Sequence, residues 1–132
     1  MSAGKILIVD DEITICNTLC NLLITKEYEV DYRLTAKEGL EVLKAQPDID
    51  TVISDIMMPG MDGVEFLKEI KMFNSMMPVI IISGSRAEEH IEKTFKGHAF
   101  DYIMKPFNAE KIFWVVGQAV SYYRMIKKFK SK

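Results

Sequence analysis

Two runs of the chain, Ile6-Leu7-Ile8-Val9 and Val79-Ile80-Ile81-Ile82, are apolar at every position and rich in β-branched side chains. A strand with one face in water alternates apolar and polar residues, so an unbroken run of this kind belongs to a strand covered on both faces. Helices packed on either side of a parallel sheet supply such cover, and the rest of the sequence provides them, because short apolar runs alternate with longer segments of helical period. Strands are expected at Lys5–Val9, Glu29–Leu34, Thr51–Ser54, Val79–Ile82 and Tyr102–Met104. Helices are expected at Thr14–Lys26, Ala36–Ala45, Val64–Phe73, Ala87–Lys96 and Ala109–Lys128. The pattern is (βα)5: an α/β, doubly wound fold with a central five-stranded parallel sheet and helices on both faces.

The 132 residues suit a single domain that builds its core without disulfides or structural metal. A formal net charge of −2 gives no global attraction to nucleic acid or anionic membrane, which argues against direct nucleic-acid binding. No apolar run approaches the ~20 residues needed to span a bilayer. Met1-Ser2-Ala3-Gly4 leads straight into the first strand without a signal-peptide pattern, so a cytoplasmic location is expected. Cys16 and Cys20 stand one turn apart on the first helix with no His or Cys nearby, which reads as packed thiols in a reducing compartment.

In open α/β sheets the chemistry lies outside the carboxyl ends of the strands, near the point where strand order reverses. Those ends carry Asp10-Asp11, Asp55, Ser83 and Lys105. Each alone has an ordinary explanation as a cap, a turn residue or a surface charge. Together they do not, because carboxylates ~4 Å apart repel by about 4 kcal/mol per pair at an effective dielectric of ~20. The cluster calls for a hard divalent cation with oxygen ligands, and Mg²⁺ suits a site built from one or two carboxylates, a carbonyl, waters and a phosphate oxygen. A carboxylate held by that ion and by Lys105 is equipped to attack phosphorus. Asp55, ending the central strand, is best placed to attack, and Asp10 and Asp11 are better placed to hold the ion.

The pair Asp10-Asp11, the run Asp55-Ile56-Met57-Met58-Pro59-Gly60-Met61-Asp62-Gly63, the pair Ser83-Gly84 and the run Tyr102-Ile103-Met104-Lys105-Pro106-Phe107 together resemble the receiver domains of bacterial two-component response regulators. The resemblance runs from about Lys5 to Ser121 and implies a flavodoxin-like receiver fold. It further implies a regulatory phosphoacceptor rather than an enzyme, phosphorylated on Asp55 by a phosphohistidine of a sensor histidine kinase or phosphotransfer protein. Asp10, Asp11, Asp55 and the Met57 carbonyl would surround Mg²⁺. Ser83 and Lys105 would bind the phosphoryl oxygens, Tyr102 would be the switch aromatic, and the Lys105-Pro106 peptide would be cis, with Pro106 fixing the lysine's approach. Phosphorylation would then alter the face made by the fourth helix, fifth strand and fifth helix.

Some features depart from the family pattern or extend it. His98, after Gly97, stands where the family has a glycine, which suggests an altered end to the fourth helix. In the family frame Met57 and Ser85 would flank the phosphoryl position and control water access, hence the acyl phosphate's lifetime. On the last helix Ile112, Val116, Ala119, Tyr123 and Ile126 form one apolar stripe, while Val115, Tyr122 and Phe129 widen it beyond what one sheet covers. At 1.5 Å per residue the helix is about 30 Å long, longer than a typical strand, so its end should project. Residues 1–121 accordingly read as the receiver domain and 122–132 as a helical extension. The extension is a dimer contact, a link to an output module or simply a surface helix, and its lysines complement the helix dipole.

Other readings fit less well. A haloacid-dehalogenase-like phosphatase would need a second Asp where Met57 stands. A flavin-binding domain would need hydroxyls and amides where Asp10-Asp11-Glu12 would repel a phosphate. A receiver-like interaction module independent of phosphorylation is the remaining alternative, although all the acceptor parts are present.

Overall fold

The computed structural model describes residues 2–56, 63–84 and 99–130. Within them the order is β1 (Gly4–Val9), α1 (Ile13–Ile24), β2 (Tyr28–Arg33), α2 (Ala36–Ala45), β3 (Thr51–Asp55), α3 (Gly63–Phe73), β4 (Val79–Ser83), β5 (Asp101–Met104) and a C-terminal helix, α4 (Ala109–Lys130). The helix expected over Ala87–Lys96 lies outside the described residues, as do Met57, Ser85, Gly97 and His98. All five strands are parallel, in the order β2-β1-β3-β4-β5.

The apolar runs that promised two-sided burial deliver it. Leu7, Val9, Val52, Val79 and Ile81 face one core, closed by Ala36, Val42 and Leu43 of α2 and Phe66, Leu67 and Ile70 of α3. Ile6, Ile8, Ile53, Ile80 and Ile82 face the other, closed by Cys16, Leu19 and Leu23 of α1 and by Ile112, Val115, Val116 and Ala119 of α4. The alternation along each strand is the pleat expressed as two cores. Gly39 lets α2 sit close to the sheet, since a Cβ there would lie 2.7 Å from Val9 Cγ2.

Local chemistry sets the helix ends. Thr35 opens α2, its hydroxyl accepting from the Glu38 N–H at 3.2 Å and donating to Glu38 Oε1 at 3.0 Å. Asn108 opens α4 by accepting from the Lys111 N–H at 2.8 Å. The first helix stops at Ile24, before the expected Lys26. Thr25 Oγ1 donates to the Leu22 carbonyl, and Glu27 adopts a left-handed φ of 67°, which ends the helical path. Both cysteines are free, with Cys16 buried and Cys20 half-buried.

One expectation on α4 needs correcting. Val115, assigned to the uncovered flank with Tyr122 and Phe129, is fully buried, because it lies three residues from Ile112 and four from Ala119 on the sheet-facing side. Tyr122 and Phe129 are exposed as expected, and Trp114 and Met125 join them. Burial along the helix continues as far as Tyr123, whose hydroxyl accepts from Asn74 Nδ2 at 2.8 Å; apart from the half-buried Ile126, the residues from Arg124 to Lys130 are exposed.

At the amino-terminal pole of the sheet, buried Asp50 ties three elements together. Its Oδ2 accepts from the Lys5 N–H at 2.9 Å and from Arg124 Nη2 at 3.2 Å. Replacing Asp50 by Ala strands a backbone donor under cover as well as the guanidinium, so chemical unfolding should show a loss of about 2–3 kcal/mol. Arg124→Ala, whose side chain is half exposed, should lose less than about 1 kcal/mol.

Candidate functional site

The strand order places the reversal between β1 and β3, because α1 leaves β1 toward one face and α3 follows β3 on the other. The register pairs Val9 with Ser54, so the next residues, Asp10 and Asp55, emerge side by side at the crevice. Both are buried, at 1% and 6% exposure, whereas Asp11 and Glu12 are exposed. One ligand oxygen from each of Asp10, Asp11, Glu12 and Asp55 lies within 4.8 Å of the others.

Lys105 reaches this cluster from the end of β5. Its Nζ lies 3.4 Å from Glu12 Oε1, 3.5 Å from Asp10 Oδ2 and 3.7 Å from Asp55 Oδ2. The Lys105 N–H donates to the Ser83 carbonyl at 2.7 Å, and the Lys105-Pro106 peptide is cis, as expected. Ser83 ends β4, one residue past Ile82, the partner of Asp55. Its hydroxyl is fully buried and has no hydrogen-bond partner among the described residues.

Gly63 shapes the far wall. A Cβ there would lie 2.5 Å from the Asp55 carbonyl oxygen and 2.6 Å from Ile56 Cα, and the Gly63 N–H donates to the Ile56 carbonyl at 2.7 Å. Only glycine lets α3 start so close to the end of β3.

The electrostatics follow from burial. Removal from water, with the Asp55 charge adding to it, raises the Asp10 pKa from 3.8 to about 6, against the opposing pull of the Glu12 N–H and Lys105. Burial acts to lower Lys105, but the carboxylates of Asp10, Asp55 and Glu12 together outweigh it and hold the ammonium firmly charged. The site therefore has acidic oxygens in excess, and Asp10 Oδ2, buried with no hydrogen-bond donor among the described residues beyond the Lys105 ammonium at 3.5 Å, is one of them. An all-oxygen donor set with an unsatisfied buried carboxylate oxygen fits a hard divalent cation.

The sequence matches the response regulator receiver domain family over residues 6–116. The chain belongs to that family. It is 35% identical over 120 residues to the transcriptional regulatory protein ZraR of Klebsiella oxytoca and 35% identical over 126 residues to the DNA-binding transcriptional regulator NtrC of Escherichia coli, covering 91% and 94% of this chain. It spans only about a quarter of the length of those two relatives, at 27% and 26%. Against the chemotaxis protein CheY of Treponema pallidum it is 36% identical over 110 residues, covering 82% of this chain and 76% of CheY. A solved receiver domain from Clostridium thermocellum superposes with a TM-score of 0.89 at 32% identity, covering 93% of this chain and 98% of that one. The protein is thus a receiver domain homologous to the phosphorylation-activated response regulators NtrC, ZraR and CheY.

Of the residues singled out in the sequence, Asp10, Asp11, Asp55 and Lys105 are brought together, with Ser83 at the neighbouring strand end. Tyr102 lies on β5 opposite Ile81, half-buried against the core shared with α2 and α3. Two contributors were not singled out. In sequence Glu12 counts only as a charge that excludes phosphate cofactors, and its place two positions after Asp10 is the signal for its presence in the cluster. Gly63 closes the run that begins at Asp55, and the sequence alone carries no signal for the close approach it permits.

The charge excess makes a measurable forecast for the metal-free protein. Because the folded state holds the Asp10 proton more tightly than the unfolded chain, stability should fall as pH rises from about 4 to about 6. Asp10→Asn keeps the acceptor for the Glu12 N–H and removes the charge. In chelator at pH 7 its unfolding free energy should exceed that of the parent by roughly 1–3 kcal/mol, and the advantage should vanish below pH 4.

Proposed function

We propose that this receiver domain is a phosphorylation-activated switch in which Asp55 accepts a phosphoryl group from a phosphohistidine of a sensor histidine kinase or phosphotransfer protein in the cytoplasm. The observation that carries the reading is the meeting of Asp55 with Lys105 and Asp10 at one strand-end crevice, with Ser83 ending the neighbouring strand. A carboxylate oxygen of Asp55 attacks phosphorus while the histidine nitrogen leaves with its bonding pair. Lys105, 18% exposed and charged, neutralises the growing charge on the phosphoryl oxygens. The Ser83 hydroxyl becomes satisfied by donating to one of those oxygens.

Asp10, Asp11 and Asp55, with the Met57 carbonyl that the family resemblance adds, are the residues that would hold Mg²⁺, and the ion when bound supplies a second positive charge to the same oxygens. The domain assists its own phosphoryl transfer and the later hydrolysis of the acyl phosphate, and otherwise acts as a regulator. The added group brings about −1.5 to −2 charge. It draws Ser83 toward Asp55, and Tyr102 on the adjoining strand follows by turning inward, which biases an existing equilibrium between two states.

With Mg²⁺ and acetyl phosphate, intact-protein mass spectrometry should show a gain of one phosphoryl group that disappears in Asp55→Asn. Ser83→Ala should slow the gain by roughly 10–100-fold. If no small phosphodonor or histidine kinase adds a phosphoryl group to the parent protein, the switch reading fails.

The readout is assigned to the end of the chain around 122–132 together with β5. Trp114, Tyr122, Met125 and Phe129 expose 65%, 45%, 52% and 72% of their surface along α4, an apolar flank fit for a second copy or an output segment. Light scattering should register an increase in mass when beryllofluoride is added, and Phe129→Ser should weaken it. An unchanged mass would transfer the readout to a different partner.

A further inference from the structure

Glu12 occupies the N-cap of α1, a position that favours Ser, Thr, Asp or Asn because a short side chain turns back to an exposed helix N–H. The Glu12 side chain makes no such bond. The capping duty near this end is met in part by Asp10, whose Oδ1 accepts from the Glu12 N–H at 2.9 Å. Departures from local preference of this kind are expected where a side chain serves a site rather than its own helix. Here the commitment is to Lys105: Glu12 Oε1 accepts from Nζ at 3.4 Å, the shortest of the three carboxylate approaches.

All three distances exceed the 2.7–2.9 Å or so of a strong charged hydrogen bond, so the ammonium is shared rather than locked. The three partners differ in depth. The Asp10 and Asp55 side chains are 2% and 7% exposed, whereas that of Glu12 is 57% exposed and lies at the mouth. Lys105 is therefore suspended between an inner acidic pair and an outer acid that the phosphoryl chemistry does not use.

We propose that Glu12 is a positioning residue that holds the Lys105 ammonium on the solvent side of the site and competes for it with a phosphoryl group on Asp55. The inference rests on the reading of Asp55 as acceptor. The competition is mild, because an exposed carboxylate gains little from its cation and is screened by salt. It sets how readily the lysine transfers inward, and so how strongly the phosphorylated state is favoured.

Two measurements separate the parts. In chelator, a double-mutant cycle of Glu12→Gln and Lys105→Met on urea unfolding should give a coupling of roughly 2–5-fold in the unfolding constant, and zero coupling overturns the proposal. In saturating Mg²⁺, beryllofluoride serves as the phosphoryl mimic. It should bind Glu12→Gln roughly 2–5-fold tighter than the parent, with the gain shrinking at high salt. Glu12→Asp, one methylene shorter, should behave like Glu12→Gln. In the Lys105→Met background the Glu12 substitution should have no effect. Weaker binding in Glu12→Gln, or a gain that persists without Lys105, would show that Glu12 acts on the ion or the anion directly and would sink the competition. A parent protein that shows the coupling but never binds beryllofluoride would overturn the Asp55 reading along with it. A parent that binds normally while Glu12→Gln changes nothing overturns the competition alone.

Discussion

The parallel pairing of β1 with β3 is the constraint from which the rest of the site follows. Ile6 pairs with Thr51 and the ladder runs in register to Val9 and Ser54, which leaves Asp10 and Asp55 as the next residue on each strand. A slip of one residue would exchange the two core faces and turn one carboxylate away from the other. The apolar residues on these strands are thus what fixes the distance between two acids. The helices then diverge, α1 to one face and α3 to the other, so a crevice opens between β1 and β3.

That geometry imposes an electrostatic cost, and the cost accounts for the neighbouring residues. Two carboxylates removed from water side by side raise the Asp10 pKa to about 6 and require cationic company. Lys105 supplies one charge, but three acids share it, and the Asp11 carboxylate stands beside them. A site left with net negative charge favours a divalent cation, and once such an ion is present an anionic phosphoryl group is no longer repelled. The same burial that destabilises the crowded carboxylates would strengthen an interaction with phosphate oxygens there.

Much of this was legible in the sequence. Continuous β-branched runs identify two-faced strands because no half-exposed strand can carry them, and the chemical residues stand immediately after those runs. Strand ends were read to within a residue or two, since Asp55 and Ser83 continue the ladders into the polar residues. The end of α1 was less legible, because a left-handed Glu27 depends on tertiary closure rather than on propensity. Glu12 was missed for a similar reason: its partner is 93 residues away, and nothing in local sequence says which acid a distant lysine will meet. Val115 lies beside Ile112 and Ala119 on a helix that packs across β3, β4 and β5, a wider face than a single apolar stripe suggests.

β5 is the element on which these threads converge. It is an edge strand of four residues, hydrogen-bonded among the described strands to β4 alone. It leads from Tyr102, packed on one core, to Lys105 at the acidic crevice, and the Lys105 N–H is tied to the carbonyl of Ser83. An edge strand with few partners is cheaper to shift than β1, β3 or β4, each paired on both sides. Meanwhile α4, which follows β5, is anchored by the buried Tyr123 and by the Arg124–Asp50 pair at the opposite pole. A change at the crevice would therefore act on a short, compliant strand between a rigid sheet and a fixed helix. This is the arrangement in which a small local displacement emerges at the surface instead of dissipating through the core.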